Sequence, residues 1–371
     1  MLAFVSTDIP WLVFPGTLFV GVAGITLMFT NVQVAYLFSR GRSVLVALMS
    51  GALDTSVLTQ LCVKFAYEGG VSILYSYIFI AVANSVTLIS TFVWLPKGFL
   101  GNEDKTKDKV ELKALNITEN DRHPAENGEL IHKEEDKVAN NDDTQKEPEQ
   151  KSLRSYILCS TYLFHVFWFS ILQLRFYFYI GSLNRWLVNI SKDDTEVSHL
   201  TNLSIYAMLG GIPASFVAGA LYDCEKRRRQ KQQGLKSTLG PPILPLSTAT
   251  IFGIILSSLQ LIQDKAATYA VFVVLTFFRA FLYSIAGGYL SNLFPSSHFG
   301  LLFGIMMSAG GTVGFLQYAL FSWMEAYKNA TNHVNIFLIC LVALTFIHPL
   351  HLWIRCKQTG KKDISNQNVV T

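Results

Sequence analysis

Nine long apolar stretches dominate this chain and constrain its fold more than any other feature. They lie at residues 11–38, 43–67, 70–95, 155–187, 200–222, 243–262, 267–293, 296–324 and 332–354. A hydrocarbon core about 30 Å thick takes roughly twenty apolar residues to cross as a helix, because no water is available there to satisfy an open backbone. With 51% hydrophobic residues and a mean hydropathy of +0.34, the sequence predicts an all-α membrane protein that crosses the bilayer many times.

The basic residues between these stretches fall mainly into alternate gaps. Arg40 and Arg42 follow the first stretch, Lys226–Arg229 follow the fifth, and Arg355 follows the last. Short loops rich in lysine and arginine stay in the cytoplasm. We therefore expect the chain to start outside the cell and to end inside it.

The glycosylation sequons agree with this orientation. Asn189 and Asn329 begin Asn-x-Ser/Thr motifs in gaps assigned to the outside, where we expect them to carry glycans. Asn116 lies in a gap assigned to the cytoplasm, so we expect it to be unmodified.

Residues 97–153 differ in composition from the rest of the chain. The segment is rich in charged and polar residues, with Phe99 as its one aromatic, so it cannot bury enough apolar surface to fold. We expect a disordered cytoplasmic linker between three helices in residues 1–96 and a six-helix bundle in residues 154–355, followed by a cytoplasmic tail at 356–371. Such a loop between two bundles is typical of a transporter built from two halves.

The first half is three helices short, and MLAFVST at the start reads as the end of a helix, so we expect an N-terminal truncation.

Several polar residues lie at membrane depth, where they are costly and usually face a cavity or a partner. Gln173 and Tyr177 share a helix face, as do Arg279 and Tyr283, because residues four apart lie one above the other. Amide and phenol groups supply hydrogen-bond donors and acceptors without a permanent charge. Arg279 suits either a substrate's polar edge or a buried carboxylate. The candidate substrate-binding residues are Asn31, Gln33, Gln173, Tyr177, Arg279 and Tyr283.

Other residues suggest structural or gating roles. Asp54 continues a stripe of small residues, and we expect it to pair with a basic neighbour at the inner gate or between helices. Gly300 and Gly304 lie on one face of the eighth stretch, where small residues allow another helix to approach. That face serves either a sliding motion or ordinary tight packing.

Known catalytic and metal-binding patterns are absent from the sequence. The five cysteines form no CxxC motif, and no group of residues matches a nucleophile, an acid–base pair, a metal site or a Walker A motif. We expect no enzyme activity, no metal and no cofactor. The expected partners are a small-molecule substrate and the lipid bilayer rather than nucleic acid; the pattern defines no oligomeric state.

Several segments together resemble solute carrier family 43 of the major facilitator superfamily. They are TNVQVAYLFSRGRS, SGALDTS, QLRFYFYIGSLN, RAFLYS and LFPSSHFGLLFG. Within the family, TNxQ at Thr30–Gln33, GAxDxS at Gly51–Ser56 and HxxWxS at His165–Ser170 are more similar to the nucleobase-transporting branch than to the large neutral amino acid branch. QLRFYFYIG is shared in part with the amino acid carriers.

The resemblance implies a twelve-helix bundle of which about nine helices, the fourth to the twelfth, are present. The family's cavity is lined by its first, fourth, seventh and tenth helices, and the last three correspond to the stretches that carry the six candidate residues. Gly219 and Asp223, followed by a basic run that includes Arg227, resemble the superfamily's Gly-x-x-x-Asp signature. There the acid and the bases would help to close the inner gate.

The resemblance also implies a function. We expect a plasma-membrane facilitator that moves purine nucleobases such as adenine, guanine and hypoxanthine by alternating access, without sodium or ATP. One alternative is a carrier of leucine-like amino acids, in which Arg279 or Arg175 would meet the carboxylate. Another is a truncated chain that transports nothing and acts as a partner of a full-length carrier.

Overall fold

The fold is known from a computed structural model, which describes residues 1–6, 8–32, 34–35, 38, 41–89, 92–93, 153–230, 235–262 and 264–367. These residues are mostly helical and contain no β-strand. The helices of ten or more residues are α1 (Val13–Val32), α2 (Arg42–Thr55), α3 (Val57–Glu68), α4 (Ile73–Asn84), α5 (Ser160–Ile190), α6 (Asp194–Met208), α7 (Gly211–Arg229), α8 (Ile243–Leu259), α9 (Lys265–Leu293), α10 (Ser296–Gly314), α11 (Leu316–Glu325), α12 (Ala330–Leu344) and α13 (Ile347–Gln367).

Most of the predicted spans are present as long apolar helices. Six described stretches are long and apolar enough to cross a membrane, and α6 with α7 makes a seventh if the two count as one bent span. The second and third predicted spans contain the shorter apolar helices Arg42–Ala52 and Ile73–Asn84. The predicted all-α membrane architecture is confirmed. The six stretches are Pro10–Met28, Ser160–Ile190, Lys236–Leu259, Lys265–Leu293, Ser296–Glu325 and Ala330–Gln358.

Several of these spans are interrupted by short breaks that the sequence analysis did not predict. The axes of α6 and α7 differ by 41°, and the break at Leu209–Gly210 is followed by Gly211 and Pro213. A proline has no N–H and its ring clashes with the carbonyl four residues earlier, so it ends or kinks a helix. Pro349 has the same effect in the last span, where α12 and α13 are separated at Thr345–Phe346.

The fifth span also begins earlier than predicted, at Asp194 rather than at residue 200. Asp193 caps this helix, because its carboxylate accepts a hydrogen bond from the Glu196 backbone N–H at 2.8 Å. This bond, together with one from the Thr195 hydroxyl, holds the pKa of the Asp193 carboxyl below its usual range. A capping side chain satisfies one of the free N–H groups of the first turn.

The predicted linker and tail are covered only in part. Residues 97–152 lie outside the described residues, and Leu153 begins a short helix that ends at Ile157. The predicted tail at 356–371 starts as helix, since α13 continues to Gln367.

A close contact between α2 and α7 joins the helices before the linker to those after it. A Cβ added at Gly219 would lie 2.7 Å from the Val44 Cα atom, and one at Gly51 would lie 2.8 Å from the Ser215 Cβ atom. The two backbones therefore approach as closely as glycine allows. Small residues have this role in membrane bundles, where van der Waals packing rather than the hydrophobic effect holds helices together.

The prediction that another helix approaches closely at Gly300 and Gly304 is wrong for the described part of the chain. In the described part of the chain, no atom lies within 4 Å of a Cβ added at either position. The close approach on α10 occurs instead at Gly310 and Gly314, which face α5. Successive residues of a helix point about 100° apart, so the face of α10 with Gly310 and Gly314, rather than the face with Gly300 and Gly304, packs against α5.

The α2–α7 contact makes a testable prediction about stability. Gly219→Ala places a methyl group against the Val44 backbone, which cannot move away like a flexible side chain, and overpacking of this kind costs about 1–3 kcal/mol. We expect a lower midpoint of thermal unfolding for the purified protein in detergent. Gly304→Ala is the matched control, because its methyl group meets open space and should leave the midpoint unchanged or slightly raised. Equal midpoints for the two variants would contradict the contact.

Candidate substrate site and inner gate

Phe176 lies next to both of the polar faces predicted from sequence, one on α5 and one on α9. Phe176 of α5 connects them: its ring centroid is 5.3 Å from the Arg279 Cζ atom, 5.7 Å from the Tyr177 ring and 6.4 Å from the Tyr283 ring. Arg279 and Tyr283 of α9 thus both lie against Phe176, the chain neighbour of Tyr177. Phe176 was not among the candidates predicted from sequence.

Aromatic rings form the walls of this cluster. Tyr283 is nearly buried and packs edge-on against Phe176 and against Phe169, whose ring centroid is 6.0 Å away. Edge-to-face pairs add to the stability that burial gives. The cluster therefore offers flat aromatic surfaces to anything that enters it.

Gln173 adds an amide next to these rings. Its Nε2 atom donates a hydrogen bond to the Tyr177 hydroxyl at 2.9 Å. Its Oε1 atom is buried against Gly310 of α10 and has no hydrogen-bond partner among the described residues. An unsatisfied buried acceptor costs about 1–3 kcal/mol. The Gln173 carbonyl is therefore an acceptor available to an N–H group, provided that α10 moves away from it.

Arg279 supplies the positive charge of the cluster. It is half-buried, lies over the Phe176 ring, and directs Nη1 toward the Met208 Sδ atom at 3.8 Å. An aromatic face attracts a guanidinium group through the ring quadrupole. The charge is therefore held at the cluster and remains partly accessible.

The candidates contributed by α1 and α2 are less defined. Asn31 lies in the last turn of α1 and Asp54 in the last turn of α2, but their side chains lie outside the described part of the structure, and Gln33 lies outside it altogether. The site described here is consequently formed by α5 and α9.

A second polar contact joins α2 to the ends of α7 and α9. Arg42 Nη1 donates to the Ser291 carbonyl at 3.2 Å. Asn292 Nδ2 donates to the Ser43 hydroxyl at 3.0 Å, and Asn292 Oδ1 accepts from Lys226 Nζ at 2.6 Å. These bonds close the bundle at the end that carries the basic run, and we call them the inner contact. Ser291 and Asn292 were also missed; their signal was a pair of polar residues at the end of an apolar helix.

The Gly-x-x-x-Asp signature lies beside the inner contact. Gly219 packs against α2, and Asp223 one turn later is nearly buried, with an Oδ2 atom that has no partner among the described residues. Arg227 is exposed and forms no ion pair with Asp223. It lines an open cavity of about 530 Å³ together with Phe38, Gly41, Val44, Leu45, Phe216, Ala220 and Cys224.

The basic run has an acidic partner that was not predicted from sequence. Glu225 is buried and forms ion pairs with Arg228 at 3.3 Å and Arg229 at 3.2 Å. Both arginines lie three or four residues after Glu225, the spacing at which helical side chains meet. Glu225 was missed although this spacing is visible in the sequence.

The two sequons expected to be glycosylated lie at the opposite end of the bundle. Arg185 of α5 forms an ion pair with Glu325 of α11 at 2.5 Å. Asn189 is exposed one turn beyond Arg185, and Asn329 is exposed one turn beyond Glu325. The sequons therefore share one end, as the expected orientation requires.

A bundle of apolar helices with a polar, aromatic-lined cluster inside and a closable polar contact at one end defines a multi-pass membrane transporter. The comparison with known proteins gives the family. The chain is 30% identical over 372 residues to equilibrative nucleobase transporter 1 of Bos taurus, covering 96% of this chain and 75% of that protein. It belongs to solute carrier family 43, and the predicted major facilitator fold and the absence of an enzyme function accord with this membership.

Two further relatives are large neutral amino acids transporters, small subunit 3. Identity is 23% over 395 residues for the protein of Homo sapiens and 25% over 399 residues for that of Mus musculus. Each match covers 90% of this chain and 70% of the relative. No family model matches the chain, and no solved structure matches it.

The position of the sequons makes a prediction about orientation. If the end with Asn189 and Asn329 faces outward, both carry glycans, and Asn189→Gln and Asn329→Gln each remove one step of a mobility shift that glycosidase treatment abolishes. Asn116→Gln is the control and should leave the pattern unchanged. A mobility shift that depends on Asn116 would mean that the orientation is the reverse of the one expected. A shift that persists in the double variant Asn189→Gln/Asn329→Gln would mean that a different asparagine is modified.

Proposed function

We propose that this protein carries purine nucleobases, such as adenine, guanine and hypoxanthine, across the plasma membrane. Transport is facilitative, needs neither sodium nor ATP, and proceeds by alternating access. The observation that carries the proposal is the cluster of α5 and α9, where two phenols and a guanidinium lie around the Phe176 ring and the Gln173 amide bonds to one of the phenols, Tyr177.

This cluster suits a flat, neutral, polar solute. A purine ring would stack on Tyr177, Tyr283 or Phe176, while the Gln173 amide would bond to its edge. Arg279 would donate to a ring carbonyl or nitrogen. Asn31 and Gln33 of the first span are the further candidates for hydrogen bonds to the ring.

The charge of the cluster also favours a nucleobase over an amino acid. A zwitterionic amino acid needs a cation for its carboxylate and an acceptor, usually a carboxylate, for its ammonium group. Among the described residues of the cluster, Arg279 supplies the first, and none is acidic. The relative described as a nucleobase transporter is also matched at 30% identity, against 23% and 25% for the amino acid transporters.

In the proposed cycle, the inner contact is the gate that opens toward the cytoplasm. Residues 1–96 and 154–355 move as two bundles, so that Arg42 and Ser43 separate from Ser291 and Asn292, and α10 moves away from Gln173 within the second bundle. Gly219 lets α2 pack closely against α7 when the gate is closed, while Asp54, Asp223 and Arg227 adjust the charge at the gate. The linker at 97–153 and the C-terminal tail lie in the cytoplasm.

The second candidate is a carrier of leucine-like amino acids. Two observations favour it: the similarity to the large neutral amino acids transporters and the partly accessible guanidinium of Arg279, which could meet a carboxylate. Substrate competition separates this candidate from the first.

Uptake of labelled adenine tests the proposal, in cells where display of the chain at the surface has been established. We expect saturable uptake that excess leucine does not reduce and that persists when sodium is replaced by choline. Vector-transfected cells are the control. Leucine-sensitive uptake would support the second candidate, and absence of any uptake by a displayed chain would indicate a non-transporting partner.

Gln173→Ala tests the site itself. Removing the amide should reduce adenine uptake about tenfold or more, which corresponds to the loss of one or two good hydrogen bonds. Surface display should not fall, because the variant also removes an unsatisfied buried acceptor. Gln60→Ala is the matched control: this exposed glutamine on α3 bonds to Tyr77, and its loss should leave uptake unchanged. Normal uptake by Gln173→Ala would remove Gln173 from the site.

A further inference from the structure

Arg175 lies outside the proposed substrate site and is one of the most deeply buried side chains of the protein. It is 0% exposed. Its Nε atom donates to the Ser257 hydroxyl at 2.5 Å, and its Nη2 atom donates to Gln260 Oε1. Arg175 follows Gln173 by two residues on α5, so its side chain points to the other side of the helix. It packs against the end of α8 rather than against α10.

The positive charge of this buried group is only partly compensated. Ser257 and Gln260 are neutral, and they lie in the last turn and at the C-cap of α8. The C-terminus of a helix carries about half a negative charge, which offsets part of the guanidinium charge. No carboxylate among the described residues forms an ion pair with Arg175. Arginine stays protonated in proteins, so the remaining charge cannot be removed by loss of a proton.

Three buried donors along the same face of α5 lack partners. The Arg175 Nη1 atom and the Tyr179 hydroxyl have no hydrogen-bond partner among the described residues, and neither has the Trp186 Nε1 atom farther along the helix. Tyr179 is 0% exposed and follows Arg175 by one turn, which places the two side chains side by side. The Tyr179 and Trp186 rings are 6.5 Å apart. Buried polar groups are normally hydrogen-bonded, so free donors beside an uncompensated cation suggest a bound acceptor with negative charge.

We propose that Arg175 and Tyr179 bind a small monovalent anion of the halide type, chloride in the cell, between α5 and α8. The anion accepts hydrogen bonds from Arg175 Nη1 and from the Tyr179 hydroxyl, and it neutralises the guanidinium. Bonds from a charged donor to an anion are stronger than bonds between neutral groups.

The chemistry of the cluster favours a halide over larger anions. The unsatisfied groups are donors, and the described residues bonded to Arg175, Ser257 and Gln260, carry no negative charge that would hold the ammonium group of an amino acid. A single guanidinium balances one negative charge, whereas a phosphate carries more. The anion would act as a fixed part of the structure that links two helices, and it would not depend on the nature of the transported solute.

Thermal unfolding of the purified chain in detergent tests this proposal. Sodium bromide or sodium chloride replaces sodium gluconate at constant ionic strength, and the midpoint is followed against halide concentration. A ligand that binds the folded state raises the midpoint in a saturable way. We expect such a rise for the unaltered protein and its loss in Arg175→Gln.

Tyr179→Phe keeps the test valid if Arg175→Gln does not fold. It deletes only the unpaired hydroxyl, so we expect the half-saturating halide concentration to rise about tenfold, the loss of one hydrogen bond to a charged partner. The control is Tyr162→Phe, which deletes a buried hydroxyl that donates to the Leu302 carbonyl at 2.7 Å. This control should have a lower midpoint and an unaltered halide response.

Two results would overturn the proposal. One is that the unaltered protein unfolds at the same midpoint in gluconate and in halide. The other is a Tyr179→Phe variant that is as stable as the unaltered protein, or more stable, and has the same half-saturating concentration. That result would mean that the Tyr179 hydroxyl binds no anion, since removal of an unsatisfied buried hydroxyl relieves a desolvation cost.

Discussion

The contact of α2 with α7 and α9 is the interaction on which the rest of the arrangement depends. Lipid tails are as apolar as leucine, so close packing rather than the hydrophobic effect holds helices together in a bilayer. Gly219 lets α2 approach α7, and Gly287 lets it approach α9 at Val46. This approach brings the start of α2 within hydrogen-bonding distance of Asn292. The cluster around Phe176 is formed by α5 and α9, with α10 and Met208 of α6 beside it, and α2 contributes none of its described contacts.

Much of the fold could be predicted from sequence because an open backbone is so costly in hydrocarbon. That cost forces long apolar helices, which hydropathy detects. The breaks within the spans are different, since they depend on single residues. Pro213 and Pro349 were visible signals, and so was the capping residue Asp193. The interruption after Gly314 has no comparable sequence signal, because glycine is common inside membrane helices.

The candidate site could be predicted only in part, because periodicity defines a face and not its neighbour. Gln173 and Tyr177 share a face as expected, yet that face packs against Gly310 and Gly314 of α10. Which helix lies opposite is decided by tertiary packing. Phe176 could not be identified at all, since a phenylalanine in an apolar helix looks the same whether it meets lipid or a guanidinium.

Two arginines near the cluster illustrate how differently a membrane protein can bury charge. Arg279 keeps contact with the Phe176 ring and remains partly accessible. A cation–π contact with an aromatic ring can be lost at modest cost, so Arg279 can exchange this contact for one with a solute that binds and then dissociates. Arg175 is sealed between α5 and the end of α8. Removing the partner of a fully buried charge costs far more, so its compensation must persist through every conformation. The first arrangement is suited to transient binding and the second to a permanent link, and this difference supports the proposal that the transported solute binds on the Arg279 side of α5.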